Sequence, residues 1–190
     1  MENIEKLNFI LFGRSGCGKG TQADLLEKKF GNMLKISSGD LLRNLSEQDT
    51  NAGRKIKEVL ITGGLPFAEI ASTLWMHEIA YTLRDDQGLI CDGFPRRLEE
   101  AANLYDFLKW LDRIDYTKVI LINIIREEAF KRLISRGRID DKEKAINERL
   151  DWFDEIVAPA INFYKERGLL LEVNGEQSIE KIHEDILTKI

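Results

Sequence analysis

A glycine-rich segment directly after an apolar run carries the most specific chemical signal in this sequence. The run is Phe9-Ile10-Leu11-Phe12, and the segment is Gly13-Arg14-Ser15-Gly16-Cys17-Gly18-Lys19-Gly20-Thr21. Glycines at this density let consecutive backbone N–H groups turn toward one anion, and the helix that follows presents the positive end of its dipole. Lys19 adds a mobile charge for terminal phosphates. A tight corner alone would need neither the lysine nor so many glycines, so the pattern predicts a phosphate-binding loop.

The position of the hydroxyl residue departs from the plain form of this motif. In that form a serine or threonine follows the lysine directly and coordinates magnesium. Here Gly20 intervenes, and the hydroxyl comes one residue later, at Thr21. Whether Thr21 is a direct magnesium ligand therefore stays open.

Two further segments place polar side chains directly after predicted strands. One is Ser37-Ser38-Gly39-Asp40-Leu41-Leu42-Arg43, and the other is Asp92-Gly93-Phe94-Pro95-Arg96. In an open parallel sheet, ligands bind at the carboxyl ends of the strands. Arg43 is therefore a candidate for binding a ligand rather than a solvated helix arginine. Asp92 is a candidate for holding magnesium through water, although Asp-Gly before a proline is also an ordinary turn signal.

Four arginines cluster late in the chain, at Arg132, Arg136, Arg138 and Arg149. Arg132 and Arg136 lie one helical turn apart, and like charges so placed repel unless an anion joins them. The cluster is a candidate phosphate site, although a solvated charged loop would explain any one of these arginines alone. Asp140 and Asp141 are candidates for orienting the arginines or magnesium-bound water, or for capping a helix.

Short apolar runs alternate with helical patterns, and these elements must position the candidate residues. The predicted buried strands are 8–12, 34–36, 89–91, 119–125 and 169–173, and the predicted core helices include 22–30, 101–111 and 127–135. This alternation predicts a parallel sheet covered by helices on both faces. Outside the alternation lie a long helical excursion, 40–84, with a break at Gly63-Gly64-Leu65-Pro66, and a short charged loop, 137–142.

Composition limits the possible classes of protein. With 190 residues, 43% of them hydrophobic and 32% charged, the chain suits one compact domain. Apolar stretches fall short of the roughly 20 residues that span a bilayer, and residues 1–5 lack signal-peptide features, so we expect a cytoplasmic protein that does not bind membranes. Cys17 and Cys91 lack the spacing of a zinc site or redox pair and are expected to be free thiols. A net charge of -5 opposes binding to nucleic acid.

Taken together, the motifs resemble one known family. The pattern G-x-x-G-x-G-K-G-T-Q from Gly13 to Gln22, the Ser-Gly-Asp segment with Arg43, and Asp-Gly-Phe-Pro-Arg ending at Arg96 are similar to the adenylate kinase family of nucleoside monophosphate (NMP) kinases, in its short-lid type. The resemblance covers nearly the whole chain. It implies a three-layer α/β/α sandwich of the P-loop NTPase class, with five parallel strands in the order 2-3-1-4-5.

The resemblance also implies a domain plan and an activity. The chain would be a single kinase domain, 1–190, and a monomer, with a core of 1–37, 85–135 and 142–190, a helical NMP-binding insertion at 38–84 and a very short lid at 136–141. The activity would be magnesium-dependent, reversible transfer of the γ-phosphoryl group of ATP to a nucleoside monophosphate, with AMP favoured. The partners would be these small nucleotides alone.

Residue roles follow from the same resemblance. The catalytic residues would be Lys19, Arg96, Arg132, Arg138 and Arg149. The ATP-binding residues would be Gly16, Cys17, Gly18, Lys19, Gly20, Thr21, Arg132, Arg136 and Gln177. The NMP-binding residues would be Ser38, Arg43, Gly64, Leu65, Pro66, Gly93, Arg96, Glu100, Arg138 and Arg149. Magnesium would be held by Asp92 through water, with Thr21 as the open second candidate.

Departures from the family pattern concern the acceptor base. Adenylate kinases usually have glutamine where this chain has Glu100, and that amide pairs with the ring nitrogen and amino group of adenine. An ionised carboxylate only accepts hydrogen bonds. This makes GMP, and less strongly CMP, a candidate substrate for phosphorylation. Ser38 keeps the hydroxyl of adenylate kinases where uridylate-cytidylate kinases usually have alanine, which favours AMP. Leu65-Pro66-Phe67-Ala68 stands where the family tends to have Leu-Val-Pro-Asp, which removes a carboxylate from the acceptor pocket.

The short lid carries a prediction about water. Arg136 and Arg138 are separated by one glycine, so this lid has no room for a zinc site or a separate domain, and closure excludes water less completely. We expect measurable ATP hydrolysis without an acceptor, assayed as released phosphate. Background hydrolysis as low as that of long-lid relatives would contradict this expectation.

A function of another class uses the same loop. A nucleotide-triggered switch or ATPase would change conformation for a protein partner, and its hydrolysis would be stimulated by that partner. Its only nucleotide product would be the diphosphate of the donor. This alternative leaves Arg43 and Arg96 unexplained.

Overall fold

The computed structural model describes residues 6–138 and 141–190, which form one five-stranded sheet with helices on both faces. Within the described residues, the strands are β1 Asn8–Phe12, β2 Met33–Ser37, β3 Gly88–Asp92, β4 Thr117–Asn123 and β5 Leu170–Asn174. All neighbouring strands are parallel, in the order β2-β3-β1-β4-β5. The predicted α/β fold class and strand order are confirmed.

The helices of the described residues alternate with these strands. They are α1 Lys19–Phe30, α2 Ser38–Ser46, α3 Asn51–Thr62, α4 Ala68–Thr82, α5 Leu98–Trp110, α6 Arg126–Arg136, α7 Glu143–Trp152, α8 Ala158–Lys165 and α9 Ile179–Leu187. A short 3₁₀ turn, Ile114–Tyr116, precedes β4, and a π-helical turn, Phe153–Val157, joins α7 to α8.

The core forms two layers because alternate residues of a strand point to opposite faces. On β1, Phe9 and Leu11 pack into a cluster that includes Leu26 of α1 and Leu133 of α6. Ile10 and Phe12 pack on the other face, with residues of α4, α5 and α8 such as Tyr164. Burial of β1 on both faces makes it the rigid base from which the glycine-rich loop leaves the sheet.

The predicted helical excursion consists of α2, α3 and α4, which lie between β2 and β3. Ser37 caps α2 by accepting a hydrogen bond from the Asp40 N–H, and Thr50 caps α3 by accepting one from the Gly53 N–H at 3.0 Å. Helix α3 ends at Gly63, whose φ of 78° lies in the left-handed region that glycine adopts most easily. The predicted break between helices at 63–66 is therefore confirmed.

Gly63 also lies where the excursion meets the core. A Cβ atom there would stand 2.2 Å from the Ala145 carbonyl oxygen of α7, so only glycine allows so close an approach. The Trp152 indole N–H donates a hydrogen bond to the Gly63 carbonyl at 2.9 Å. The end of α3 is therefore held against the helix that carries Arg149.

Two groups of sequence-based expectations fall outside the described residues. The expected lack of a signal peptide concerns residues 1–5, and the candidate Asp140 lies between the two described ranges. Across 6–138 and 141–190, no helix combines the length and apolar character needed to cross a membrane. The division into core, insertion and lid stays a prediction.

Candidate functional site

The candidate residues line an open cleft of about 540 Å³ at the carboxyl ends of the central strands. The glycine-rich loop forms one wall, the start of α2 and the end of α3 form another, and arginines of α6, of α7 and of the segment after α6 line the third. The predicted site residues that line it are Gly16, Gly18, Lys19, Gly20, Thr21, Ser38, Arg43, Gly64, Asp92, Gly93, Arg96, Arg132, Arg136, Arg138 and Arg149. One cleft therefore gathers all seven of the candidate cations.

The glycine-rich loop has the backbone geometry that its sequence predicts. Gly16 and Gly18 have φ of 86° and 99°, a region that other residues rarely adopt. Space around Gly18 is open, since a Cβ there would meet no atom within 4 Å. Gly18 is the N-cap of α1 and has no side-chain partner for the first N–H groups of the helix. The loop therefore presents backbone donors and the positive helix end to the cleft.

Lys19 folds back across the loop. Its ammonium group donates hydrogen bonds to the carbonyl oxygens of Gly13 at 2.7 Å and Arg14 at 3.1 Å. Both acceptors are neutral, so a bound triphosphate would offer this charge a stronger partner. Exchange of the two carbonyls for phosphate oxygens would need only a side-chain movement.

Asp92 lies at the end of β3, facing the first turn of α1. A Cβ on Gly20 would come within 3.6 Å of its carboxylate, so the glycine leaves room beside this oxygen. Burial raises the pKa of Asp92, while the charges of Lys19 and Arg96 act in the opposite direction. A partly desolvated carboxylate beside a phosphate site fits magnesium, which is held by one or two carboxylates together with waters and substrate phosphates.

Arg96 is fixed in the wall of the cleft by three contacts. Its Nε donates to the Gly93 carbonyl at 2.9 Å, its Nη2 donates to the Ser38 hydroxyl at 3.2 Å, and the guanidinium lies over the Trp152 ring at 5.5 Å from the centroid. Burial lowers the pKa of Arg96, and the nearby Glu100 and Asp92 oppose this shift. Its position is therefore set before any ligand binds.

Arg43 is held less rigidly. It lies in α2 and pairs with the Asp40 carboxylate at 2.5 Å, three residues earlier on the same helix. Both side chains are partly exposed, so this pair contributes little to stability. Arg43 can therefore exchange Asp40 for a bound phosphate at low cost.

Asp141 joins the end of α6, the segment that follows it and α7. It accepts hydrogen bonds from Arg136 through both carboxylate oxygens at 2.8 Å, from Arg149 at 2.7 Å and from the Arg138 backbone N–H at 3.1 Å. Its side chain is 0% exposed. Of the roles considered for Asp141, these contacts support that of orienting arginines, because its carboxylate accepts hydrogen bonds from both Arg136 and Arg149.

The repulsion expected between Arg132 and Arg136 is relieved within the protein. Arg132 pairs with Glu128 at 2.6 Å and donates to the Gly175 carbonyl at 3.1 Å, while Arg136 has Asp141. The anions that offset this repulsion in the structure are protein carboxylates, and the role of the two arginines as a phosphate site stays a prediction. Protein carboxylates therefore hold both arginines beside the cleft.

These contacts predict a pH-dependent contribution to stability. Burial acts to raise the pKa of Asp141, but hydrogen bonds from Arg136 and Arg149 prevail and lower it from 3.8 to about 2. Because the pKa is lower in the folded state, the ion pairs stabilise the fold above about pH 4, and this contribution is lost as the pH falls to about 2.

Asp141→Asn should therefore lower the free energy of unfolding by about 1 to 2 kcal/mol near pH 6, after allowance for solvent screening. Its difference from the wild type should shrink toward pH 2. Denaturant unfolding of both proteins from pH 2 to pH 7 measures this. A difference that does not vary with pH would contradict the charge argument.

Some predicted residues lie apart from the main cleft. Pro66 and Glu100 line a small side pocket next to Ser38 and Arg96. Cys17 is buried, with its N–H donating to the Arg14 carbonyl within the loop. Gln177 donates to the Asn174 carbonyl and to Asp185, both at 2.9 Å. Leu65 lines neither the cleft nor the side pocket, and the roles assigned to these residues stay predictions.

The sequence analysis missed four residues that line the cleft: Asp24, Lys35, Leu60 and Trp152. Lys35 of β2 pairs with Asp24 of α1 at 2.5 Å. Trp152 contacts both Arg96 and Gly63. Its spacing held a signal, because a residue three positions after Arg149 lies on the same face of a helix.

Comparison with known proteins gives one consistent result. The family model described as Adenylate kinase matches residues 11–169. A protein named Adenylate kinase from Leptospira biflexa is 37% identical over 186 residues, which cover 95% of this chain and 98% of that one. Proteins of the same name from Prochlorococcus marinus (35% identical over 177 residues, 93% and 94% covered) and Flavobacterium johnsoniae (33% over 189 residues, 97% and 98%) are also similar.

Proposed function

The chain belongs to the adenylate kinase family, and we propose that it catalyses reversible, magnesium-dependent transfer of the γ-phosphoryl group from ATP to AMP, giving two molecules of ADP. The observation that supports this best is the arrangement of cations in one cleft. Lys19 and the glycine-rich loop lie on one side, Arg43 and Arg96 lie on the acceptor side, and Asp92 lies between them. A cleft that binds a single triphosphate would leave Arg43 and Arg96 without a ligand.

The donor side would bind the triphosphate mainly through the backbone. N–H groups of the loop and the N-terminus of α1 would hold the donor phosphates, and the ammonium group of Lys19 would leave the carbonyls of Gly13 and Arg14 to join them. Arg132 and Arg136 reach the same cleft from α6. The donor is thus aligned by groups on the rigid edge of the sheet.

The acceptor side would bind the phosphate of AMP through Arg96 and Arg43. Arg96 is positioned by Gly93, Ser38 and Trp152, so its geometry costs little entropy when the acceptor arrives. Arg43 closes on the phosphate from α2. These contacts would set the acceptor oxygen in line with the γ-phosphorus.

Transfer itself asks the protein for alignment and for positive charge. Negative charge spreads over the equatorial oxygens of the moving phosphoryl group, so no side-chain nucleophile is needed. Arg132, Arg136, Arg138 and Arg149 would neutralise that charge. We further propose that the excursion and the lid close over both substrates, since water is a competing acceptor.

Magnesium would neutralise donor phosphate charge and hold those phosphates in the geometry for transfer. Asp92 would hold it through water, as its place opposite Gly20 allows. Thr21 also lines the cleft and keeps its candidacy as a direct ligand.

A panel of acceptors tests the proposed function. The protein is incubated with ATP, magnesium and AMP, GMP, CMP, UMP or dTMP in turn, and the nucleotide products are separated. The proposal expects ADP from AMP, in both reaction directions, at a rate well above phosphate release without acceptor. Phosphate release alone, with no new diphosphate from any acceptor, would instead favour the ATPase or switch.

Asp92→Asn should raise the magnesium concentration for half-maximal activity about 10- to 100-fold, the range typical for loss of an outer-shell carboxylate. Initial rates across a magnesium titration at saturating nucleotides measure this. Asp86→Asn is the matched control, because that exposed carboxylate pairs with Arg84 at the surface. An unchanged magnesium requirement in the Asp92 variant would remove Asp92 from the metal site.

The setting of the enzyme belongs to the same proposal. We propose a cytoplasmic monomer whose partners are small nucleotides, not nucleic acid or membranes. The net charge of -5 and a cleft formed within one chain support this.

A further inference from the structure

The side pocket beside Arg96 contains a charged pair that the sequence interpretation did not consider. Ser38, Leu42, Pro66, Arg97 and Glu100 are among its lining residues. Glu100 is 2% exposed and accepts hydrogen bonds from the Arg96 backbone N–H at 2.8 Å and from Arg97 Nη1 at 3.3 Å. The resemblance places the residue that reads the acceptor base at position 100, so Arg97 stands beside the base-reading position.

Arg97 is fixed in this place from two sides. Its Nη1 meets Glu100, and its Nη2 donates to the Pro66 carbonyl at 3.0 Å, so the guanidinium spans the gap between α5 and the segment before α4. Removal of one partner from a buried carboxylate–arginine pair leaves the other without its hydrogen bond. The two side chains therefore act as a unit.

This unit changes the hydrogen-bonding character of the pocket. The expectation of GMP supposed an isolated carboxylate, which can only accept. Glu100 has one described partner on each oxygen, which leaves acceptor capacity on both. Arg97 has five N–H donors, and its described contacts use two of them. Donor and acceptor thus stand side by side, as they do in a glutamine amide.

We propose that Arg97 is a second base-reading residue, and that the Arg97–Glu100 pair selects AMP in the acceptor site. In this arrangement Arg97 donates to N1 of adenine and Glu100 accepts from the 6-amino group. Guanine in this same orientation would set its N–H at position 1 against the Arg97 donor and its 6-carbonyl oxygen against the Glu100 carboxylate. This inference rests on the proposed function, because it presumes that the pocket holds an acceptor base.

Substitution of Arg97 should change kcat/KM for AMP and for GMP by different factors. Arg97→Ala leaves the isolated carboxylate, which suits the N–H and amino group of guanine. We expect kcat/KM for AMP to fall about 10- to 100-fold, the effect of losing a charge-assisted hydrogen bond. The ratio of kcat/KM for AMP to that for GMP should fall at least about tenfold, with KM for ATP unchanged.

The double variant Arg97→Ala/Glu100→Gln separates reading the base from holding the structure. The amide brings its own donor and acceptor, so the AMP-to-GMP ratio should return to within about threefold of the wild type. An arginine that only supported the fold would lower both activities together, and a substitution at position 100 would not restore AMP selectively. Arg54→Ala is the matched control, since Arg54 pairs with Glu58 on the exposed face of α3.

The outcomes distinguish the inference from the function. A wild type that phosphorylates none of the acceptors overturns the proposed function, and this inference with it. A wild type that phosphorylates AMP, with the AMP-to-GMP ratio unchanged by Arg97→Ala, overturns the inference alone, as does a wild type that prefers GMP. If a thermal melt shows that Arg97→Ala is not folded, Arg97→Lys takes its place in the test. Lysine keeps the positive charge beside Glu100 but loses the planar guanidinium group. The ratio should then fall in the same direction, and an unchanged ratio overturns the inference.

Discussion

Replacing Lys19 by methionine should lower kcat about 10³-fold while leaving the fold intact. The side chain keeps its length but loses the charge that would neutralise the donor phosphates. Preorganised cations around a transferring phosphoryl group are worth about 10² to 10⁵ in rate in comparable sites. Without nucleotide, the ammonium group contacts only the neutral carbonyls of Gly13 and Arg14 among the described oxygen acceptors, so its loss should change Tm little. Initial rates in both directions, with a thermal melt, measure the two quantities.

Lys28→Met is the control for this change. Lys28 lies on the same helix, in its last turn and exposed to solvent, so the substitution removes the same charge far from the cleft. Its kcat should stay within about twofold of the wild type, as for a surface substitution away from the site. If Lys19→Met kept full activity, the assignment of the loop as the donor site would be wrong.

The strands show how far sequence reasoning reaches for the fold. Both ends of strand β1 were predicted correctly, because its apolar residues and its hydrogen-bonded residues cover the same range, 8–12. Strand β4 was predicted at 119–125 but is Thr117–Asn123. Its start was missed because Thr117 is polar, and its hydroxyl is buried in a bond to the Arg113 carbonyl at 2.9 Å. Its end was placed too late because Ile124 is buried beyond the last ladder residue.

The site divides in a similar way between what spacing reveals and what it does not. Position after a strand was enough to bring Asp92 and Arg96 to one cleft, because parallel strands end at one edge of the sheet. The ion-pair partner of each charged residue could not be predicted from the sequence, because it depends on how the helices pack. Asp141 pairs with Arg136 of α6 and with Arg149 of α7. Glu100 pairs with Arg97, three residues earlier.

Arg149→Ala should lower kcat about 10³-fold, the effect typical of an arginine that stabilises the charge of phosphoryl transfer. Arg149 lies on α7 with its side chain 12% exposed, lines the cleft and pairs with Asp141 at 2.7 Å. A nucleotide pair brings several negative charges against the single charge of Asp141, so the guanidinium can turn toward the moving phosphoryl group. Because the contact is strongest in the transition state, kcat should fall far more than KM changes.

The control for Arg149→Ala is an arginine outside the cleft that forms an ion pair with a residue of α7. Arg126 bridges to Asp151 at 2.7 Å, with both side chains partly exposed, and Arg126→Ala should leave kcat within about twofold. Arg138→Ala tests the lid arginine in parallel. Turnover unchanged in both Arg138→Ala and Arg149→Ala, with folding intact, would show that the lid region does not complete the site. The reaction would then depend on the glycine-rich loop, Arg43 and Arg96 alone.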